Sequence, residues 1–127
     1  MRFSDDTIFF GPANNAQLIR LYHNAACSVS PSLMEGFGLP NIESVYCGIL
    51  PVISDIPVYR EIWADTVSYF DPYDINSIAA SVLKIINLPK KEYMEKVKNA
   101  QKKLKNFSWR KSAQTTLDQY SKIYTSR

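Results

Sequence analysis

With 127 residues, 46% of them hydrophobic and 21% charged, the chain has the composition of one soluble globular domain with room for a core. No apolar run is long enough to span a bilayer, and the opening Met1-Arg2-Phe3-Ser4-Asp5-Asp6 lacks the apolar centre of a signal peptide. Cys27 and Cys47 both sit in apolar segments and read as small buried hydrophobes in a reducing compartment, which predicts a cytoplasmic protein and no disulfide.

In chain order, Thr7-Ile8-Phe9-Phe10 reads as a strand closed by Gly11-Pro12. Asn14 or Asn15 caps a helix with Leu18, Leu21, Tyr22 and Ala25 at helical spacing. Residues 27–30 form a short buried strand. A helix over 41–47 follows, with Pro40 at its first position and Gly48 past its end. Strands are predicted at 50–53 and 67–70, with a short helix from Pro57 between them. Three helices close the chain. The first, over 75–86, has its apolar positions at Ile75, Ile78, Ala79, Val82, Ile85 and Ile86. The second, over 90–105, has them at Tyr93, Val97, Ala100 and Leu104. The third, capped by Ser108, carries Trp109, Ala113, Leu117, Tyr120 and Tyr124 along one face. Strands alternating with helices predict an α/β fold with a parallel sheet flanked by helices. The strands and central turn occupy 7–73 and the helices 74–125.

Charge is uneven. Residues 84–111 hold ten Lys and Arg against only Glu92 and Glu95. The simplest reading is a solvated helix face. The alternative is peripheral docking on an anionic membrane surface. No aromatic interleaving or recognition motif accompanies the lysines, so nucleic acid is not an expected partner.

The richest stretch is Ser30-Pro31-Ser32-Leu33-Met34-Glu35-Gly36-Phe37-Gly38-Leu39-Pro40-Asn41-Ile42-Glu43. A strand, a glycine turn and a helix start present backbone N–H groups to an anion. Gly36 and Gly38 let a ligand approach the backbone. Glu43 is expected in the first helical turn, where the dipole favours a carboxylate. Amide donors for phosphates, beside two carboxylates for hydroxyls, suit a nucleotide sugar.

Glu35 and Glu43 are separated by seven residues. With Gly-Phe-Gly-Leu-Pro between them, and Cys47-Gly48 and Pro51-Val52-Ile53-Ser54-Asp55 beyond, the stretch resembles the donor-site signature of retaining glycosyltransferases of the group 1 type, family 4, with the GT-B fold. Phe9-Phe10-Gly11, Phe70-Asp71-Pro72 and Phe107-Ser108-Trp109 extend the resemblance over nearly the whole chain. It implies a Rossmann-like sheet belonging to the C-terminal donor domain, with a helical tail. Glu35 would be the catalytic residue, touching the hydroxyls of the donor sugar. Gly36, Phe37, Gly38 and Leu39 would bind phosphate and sugar through backbone N–H groups. Glu43 would accept hydrogen bonds from the ribose diol, which two carboxylate oxygens can bind together. Gly11 and Pro12 would lie near the nucleotide base. The residues alone allow plainer roles: a surface glutamate at Glu35, turn geometry for the glycines, packing for Phe37.

The resemblance implies a nucleotide-diphosphate sugar as substrate, with no cofactor and no metal. It covers only part of the second of two domains. The acceptor domain, the first two strands of the donor domain and the basic residues that grip the diphosphate have no counterpart here, so a fragment with little activity of its own is expected. In the Rossmann order 3-2-1-4-5-6, 7–10 would be strand 3, and 27–30, 50–53 and 67–70 strands 4, 5 and 6. Strand 4 would then have an open edge. Either 7–10 moves to pair with it, or two chains associate through it.

The remaining candidates read structurally. His23 is the one histidine and has no catalytic constellation around it. Asp55 follows a strand and is expected to cap a turn rather than line the cleft. Trp63 and Trp109 are expected in the core. No Cys or His spacing fits zinc, and no Walker or Gly-x-Gly-x-x-Gly loop is present.

Overall fold

The computed structural model describes residues 6–125. The opening segment 1–5, read from sequence as no signal peptide, lies outside them. Six helices and three strands are found: α1 (Asn15–Asn24), β1 (Ser28–Ser30), α2 (Leu39–Tyr46), β2 (Pro51–Ser54), α3 (Pro57–Trp63), β3 (Ser68–Phe70), α4 (Ile75–Ile86), α5 (Lys90–Leu104) and α6 (Trp109–Thr125).

The strands form one parallel sheet in the order β1-β2-β3, with Val29 opposite Val52 and Ile53 opposite Tyr69. Parallel neighbours need crossover connections, and α2 and α3 supply them. The central strand β2 is buried at all four positions, as a strand covered on both faces should be. Helix α4 packs on β3 and β2, whereas α2 packs on β1, β2 and α5. Val45, Val52, Ile53, Tyr59, Trp63 and Ala100 are fully buried at the centre.

Local signals set most helix ends. Asn14 and Gln17 form a reciprocal capping box on α1. Helix α2 runs into Gly48 at φ +83°, the left-handed position that ends a helix. Asp74 caps α4, and the Ser108 hydroxyl accepts from the Lys111 N–H at the start of α6. Tyr93 ties α5 to the sheet. Its hydroxyl accepts from the Leu50 N–H and donates to the Ala26 carbonyl, each at 3.0 Å.

Four expectations are corrected. Residues 7–10 form no strand: they are exposed, with Phe9 95% accessible, and β1 keeps an edge unpaired by any described strand. A strand needs a neighbouring strand to take its backbone groups, and no described strand adjoins 7–10. Trp109 is 82% exposed, not core, and no residue of α6 is buried. On α4, Ile85 is buried and Ile78 and Val82 are partly so, but Ile75 and Ala79 stand in solvent because only one face meets the sheet. Cys27 and Cys47 are free, as expected, but half-buried.

Candidate functional site

Helix α2 begins where β1 ends, across the turn 31–38. Gly38 occupies its N-cap at φ +82°, ψ 55°, with no side-chain cap. Only glycine takes that conformation without cost, and space demands glycine too. A Cβ at Gly38 would stand 2.6 Å from Cε1 of Tyr59 and 3.0 Å from Nδ2 of Asn41. At Gly36 a Cβ would meet nothing within 4 Å.

Pro40 has no N–H, and the Asn41 N–H turns back to the Gly38 carbonyl at 3.0 Å. The N–H groups of Gly36, Phe37, Gly38 and Leu39 have no partner among the described residues. An α-helix start with spare donors and a positive dipole end is suited to an anion.

Glu35 is exposed on the turn rather than enclosed in a cleft, and the Ser32 hydroxyl donates to its Oε1 at 2.9 Å. Glu43 is also exposed. It lies in the second turn of α2, not the first, because the helix starts at Leu39. The dipole fades within one turn, so the helix end does little to stabilise the Glu43 carboxylate. Its neighbour is Tyr22 of α1. The Tyr22 hydroxyl donates to the Pro40 carbonyl at 3.1 Å. Burial, and then the Glu43 charge, push its pKa up. Sequence reasoning placed Tyr22 only on a helix face. The available signal was that a half-buried tyrosine hydroxyl needs a partner.

Phe37 turns inward and meets Phe107 edge to face, with ring centroids 5.1 Å apart. Both line an apolar cavity of about 610 Å³ with Leu39, Ile42, Tyr46 and Trp109. Neither Glu35 nor Glu43 lines that cavity, so this apolar hollow lies apart from the two carboxylates. A smaller hollow of about 340 Å³ sits past the ends of β2 and β3, between Leu33, Asp55, Ile56, Asp71, Pro72 and Tyr73. Asp55 there is taken up by Arg60, with both carboxylate oxygens 2.6 Å from guanidinium nitrogens. That pair holds the Asp55 carboxyl below the ordinary carboxylate range, so Asp55 is an ion-pair partner rather than a turn cap. Arg60 also stacks 3.8 Å over the Tyr69 ring.

Gly11 and Pro12, read as a base site at a strand end, lie in the exposed irregular segment before α1. His23 is exposed. Among the described residues no cluster of His, Cys, Asp and Glu could hold a metal ion, and no helix is long and apolar enough to cross a membrane.

The parallel sheet and the glycine turn opening onto α2 define an α/β protein whose helix start carries spare amide donors. The chain belongs to the glycosyl transferases group 1 family, whose model matches residues 2–104. It is 32% identical over 121 residues to the serotype-specific mannosyltransferase WbdA of Escherichia coli, covering 94% of this chain and 14% of that protein. Identity with the O-antigen chain mannosyltransferase RfbU of Salmonella typhimurium is 33% over 89 residues, covering 70% and 25% respectively. Sucrose-phosphate synthase from Thermosynechococcus elongatus superposes with a TM-score of 0.83 at 23% identity, over 98% of this chain and 32% of that one. The fold is thus the α/β arrangement expected of part of a GT-B C-terminal domain, and the chain spans less than a third of each of these proteins.

Proposed function

We propose that this chain is the donor-binding part of a retaining glycosyltransferase that moves a sugar from a nucleotide diphosphate to an acceptor hydroxyl. One observation carries the reading. Four amide donors, from Gly36 to Leu39, have no partner among the described residues and lead into the start of α2, between two exposed carboxylates on one strand–turn–helix unit. The amides suit the diphosphate. Glu43 suits the ribose diol, and Glu35 the sugar hydroxyls beside the carbon that is transferred.

In such a reaction the protein chiefly stabilises charge on the leaving diphosphate and aligns two substrates. Aligning the acceptor is the work of a second domain, so the 127 residues by themselves are expected to bind donor and turn over little. Mannose is the first sugar to try, from the names of the relatives, and polysaccharide assembly the first setting. A binding module without catalysis is the second reading, since the same two carboxylates would serve it.

Calorimetry with GDP-mannose and bare GDP tests the assignment, with the uridine pair as the alternative donor. Glu43→Ala should weaken both ligands of the pair. Glu35→Ala should weaken the sugar nucleotide and leave the diphosphate within twofold. Equal losses for both ligands in both variants would sink the two roles.

A further inference from the structure

Tyr59 is fully buried at the start of α3, far in sequence from the signature turn, yet it touches both ends of that turn. At the first end its hydroxyl lies 3.1 Å from the Ser30 hydroxyl, the last residue of β1. At the second end Gly38 crosses the ring so closely that a Cβ there would stand 2.6 Å from Cε1 and 3.2 Å from the hydroxyl oxygen. Between these points the turn is nearly bare, with Leu33 57% and Met34 89% exposed. Its own Ser32–Glu35 hydrogen bond does not tie it to the core. Tyr59 is itself held, since its carbonyl, at 3.2 Å, shares the Tyr69 hydroxyl proton with the nearer Ala64 carbonyl.

We propose that Tyr59 is a positioning residue that clamps Ser30 and Gly38 and so sets where Glu35 stands over the donor. The proposal deepens the donor-site reading and rests on it for the ligand. A loop pinned at both ends holds its central side chain within a narrow range, and misplacing a contact group by about an ångström already costs affinity and rate. The turn has no other buried side chain between its anchors to do this: Phe37 is half-buried toward Phe107, and Gly36 has none.

Tyr59→Phe keeps the ring under Gly38 and removes the bond to Ser30. Ser30→Ala removes the same bond from the other side. In the 127-residue chain, backbone ¹⁵N order parameters for residues 33–37 should fall in both variants from the rigid value near 0.85 toward about 0.6. Those of β2 and α5 should stay put, and the double variant should do no more than either alone. By calorimetry the extra affinity of GDP-mannose over GDP should fall about fivefold, the worth of one net hydrogen bond, with GDP itself within twofold. In a Glu35→Ala background Tyr59→Phe should then change nothing further. Unchanged order parameters at 33–37, or a loosening spread equally over β2 and α5, would overturn the clamp. An intact sugar increment in Tyr59→Phe would overturn its bearing on the donor. If the unmutated chain binds neither ligand, the donor-site reading fails instead, and the order parameters alone still decide Tyr59.

Discussion

At Gly38 two constraints coincide, a left-handed φ of +82° and a tyrosine ring where a Cβ would go. A non-glycine residue in that conformation costs about 1–2 kcal/mol, and here a fully buried Tyr59 would have to move as well. Gly38→Ala should therefore lower stability by about 2 kcal/mol or more, read as a drop in the urea midpoint. Gly36 is the opposite case, with open space around it. Gly36→Ala should leave stability within about 0.5 kcal/mol, while its methyl, on the ligand side, weakens nucleoside diphosphate binding. Matching midpoints for the two variants would refute this division. Both glycines were legible in sequence as turn residues. Which of them is locked by packing was not, because Tyr59 lies more than twenty residues away.

At the scale of elements, α3 shows how a helix can end without its usual glycine. Ala64 follows Trp63 at φ 47°, ψ −123°, a strained conformation for a side chain larger than hydrogen. Its carbonyl accepts from the Tyr69 hydroxyl at 2.6 Å, and Arg60 lies across the same ring. Burial, partly offset by Arg60, pushes the Tyr69 pKa up to about 12, so the hydroxyl keeps its proton and stays a donor at any physiological pH. Strain of this kind costs about 1–3 kcal/mol, and glycine gives back about 0.5–1 kcal/mol in lost entropy. Ala64→Gly should thus stabilise the chain by about 1 kcal/mol in urea titration, and a net loss would contradict the strain. The bounds of α4 and α5 followed from periodicity and the break at Pro89, local signals within the chain. Helix α6 was legible as an amphipathic helix, yet periodicity names an apolar face without naming what covers it, and here Trp109 and Tyr124 are both more than 80% exposed.

For the whole molecule, the decisive feature is the edge of β1 that no described strand pairs. Val29 is 46% exposed, and Ile8 and Phe9, in the segment expected to cover it, are 85% and 95% exposed. The first of the two expected ways of covering the edge, pairing with 7–10, does not occur. The second remains as an expected outcome, since edges with unpaired backbone groups recruit other chains. Sedimentation at several concentrations should show reversible self-association that Val29→Lys suppresses. A monomer at every concentration, in both proteins, would count against it.

By itself the sequence determined the α/β class, the helix ends at Asn14, Gly48 and Ser108 and the group 1 signature, the strand order being implied only by the family resemblance. Each of these depends on residues close together in the chain: hydrophobic period, turn chemistry, the spacing of Glu35 and Glu43. Only the tertiary structure decided that 7–10 is no strand, that Glu43 sits in the second turn beside Tyr22, and that Tyr59 holds both ends of the turn. Each of these is a matter of partners. A strand exists when a neighbour takes its hydrogen bonds, and a buried hydroxyl settles on whichever atom the packed fold brings within hydrogen-bond reach, which no local spacing records.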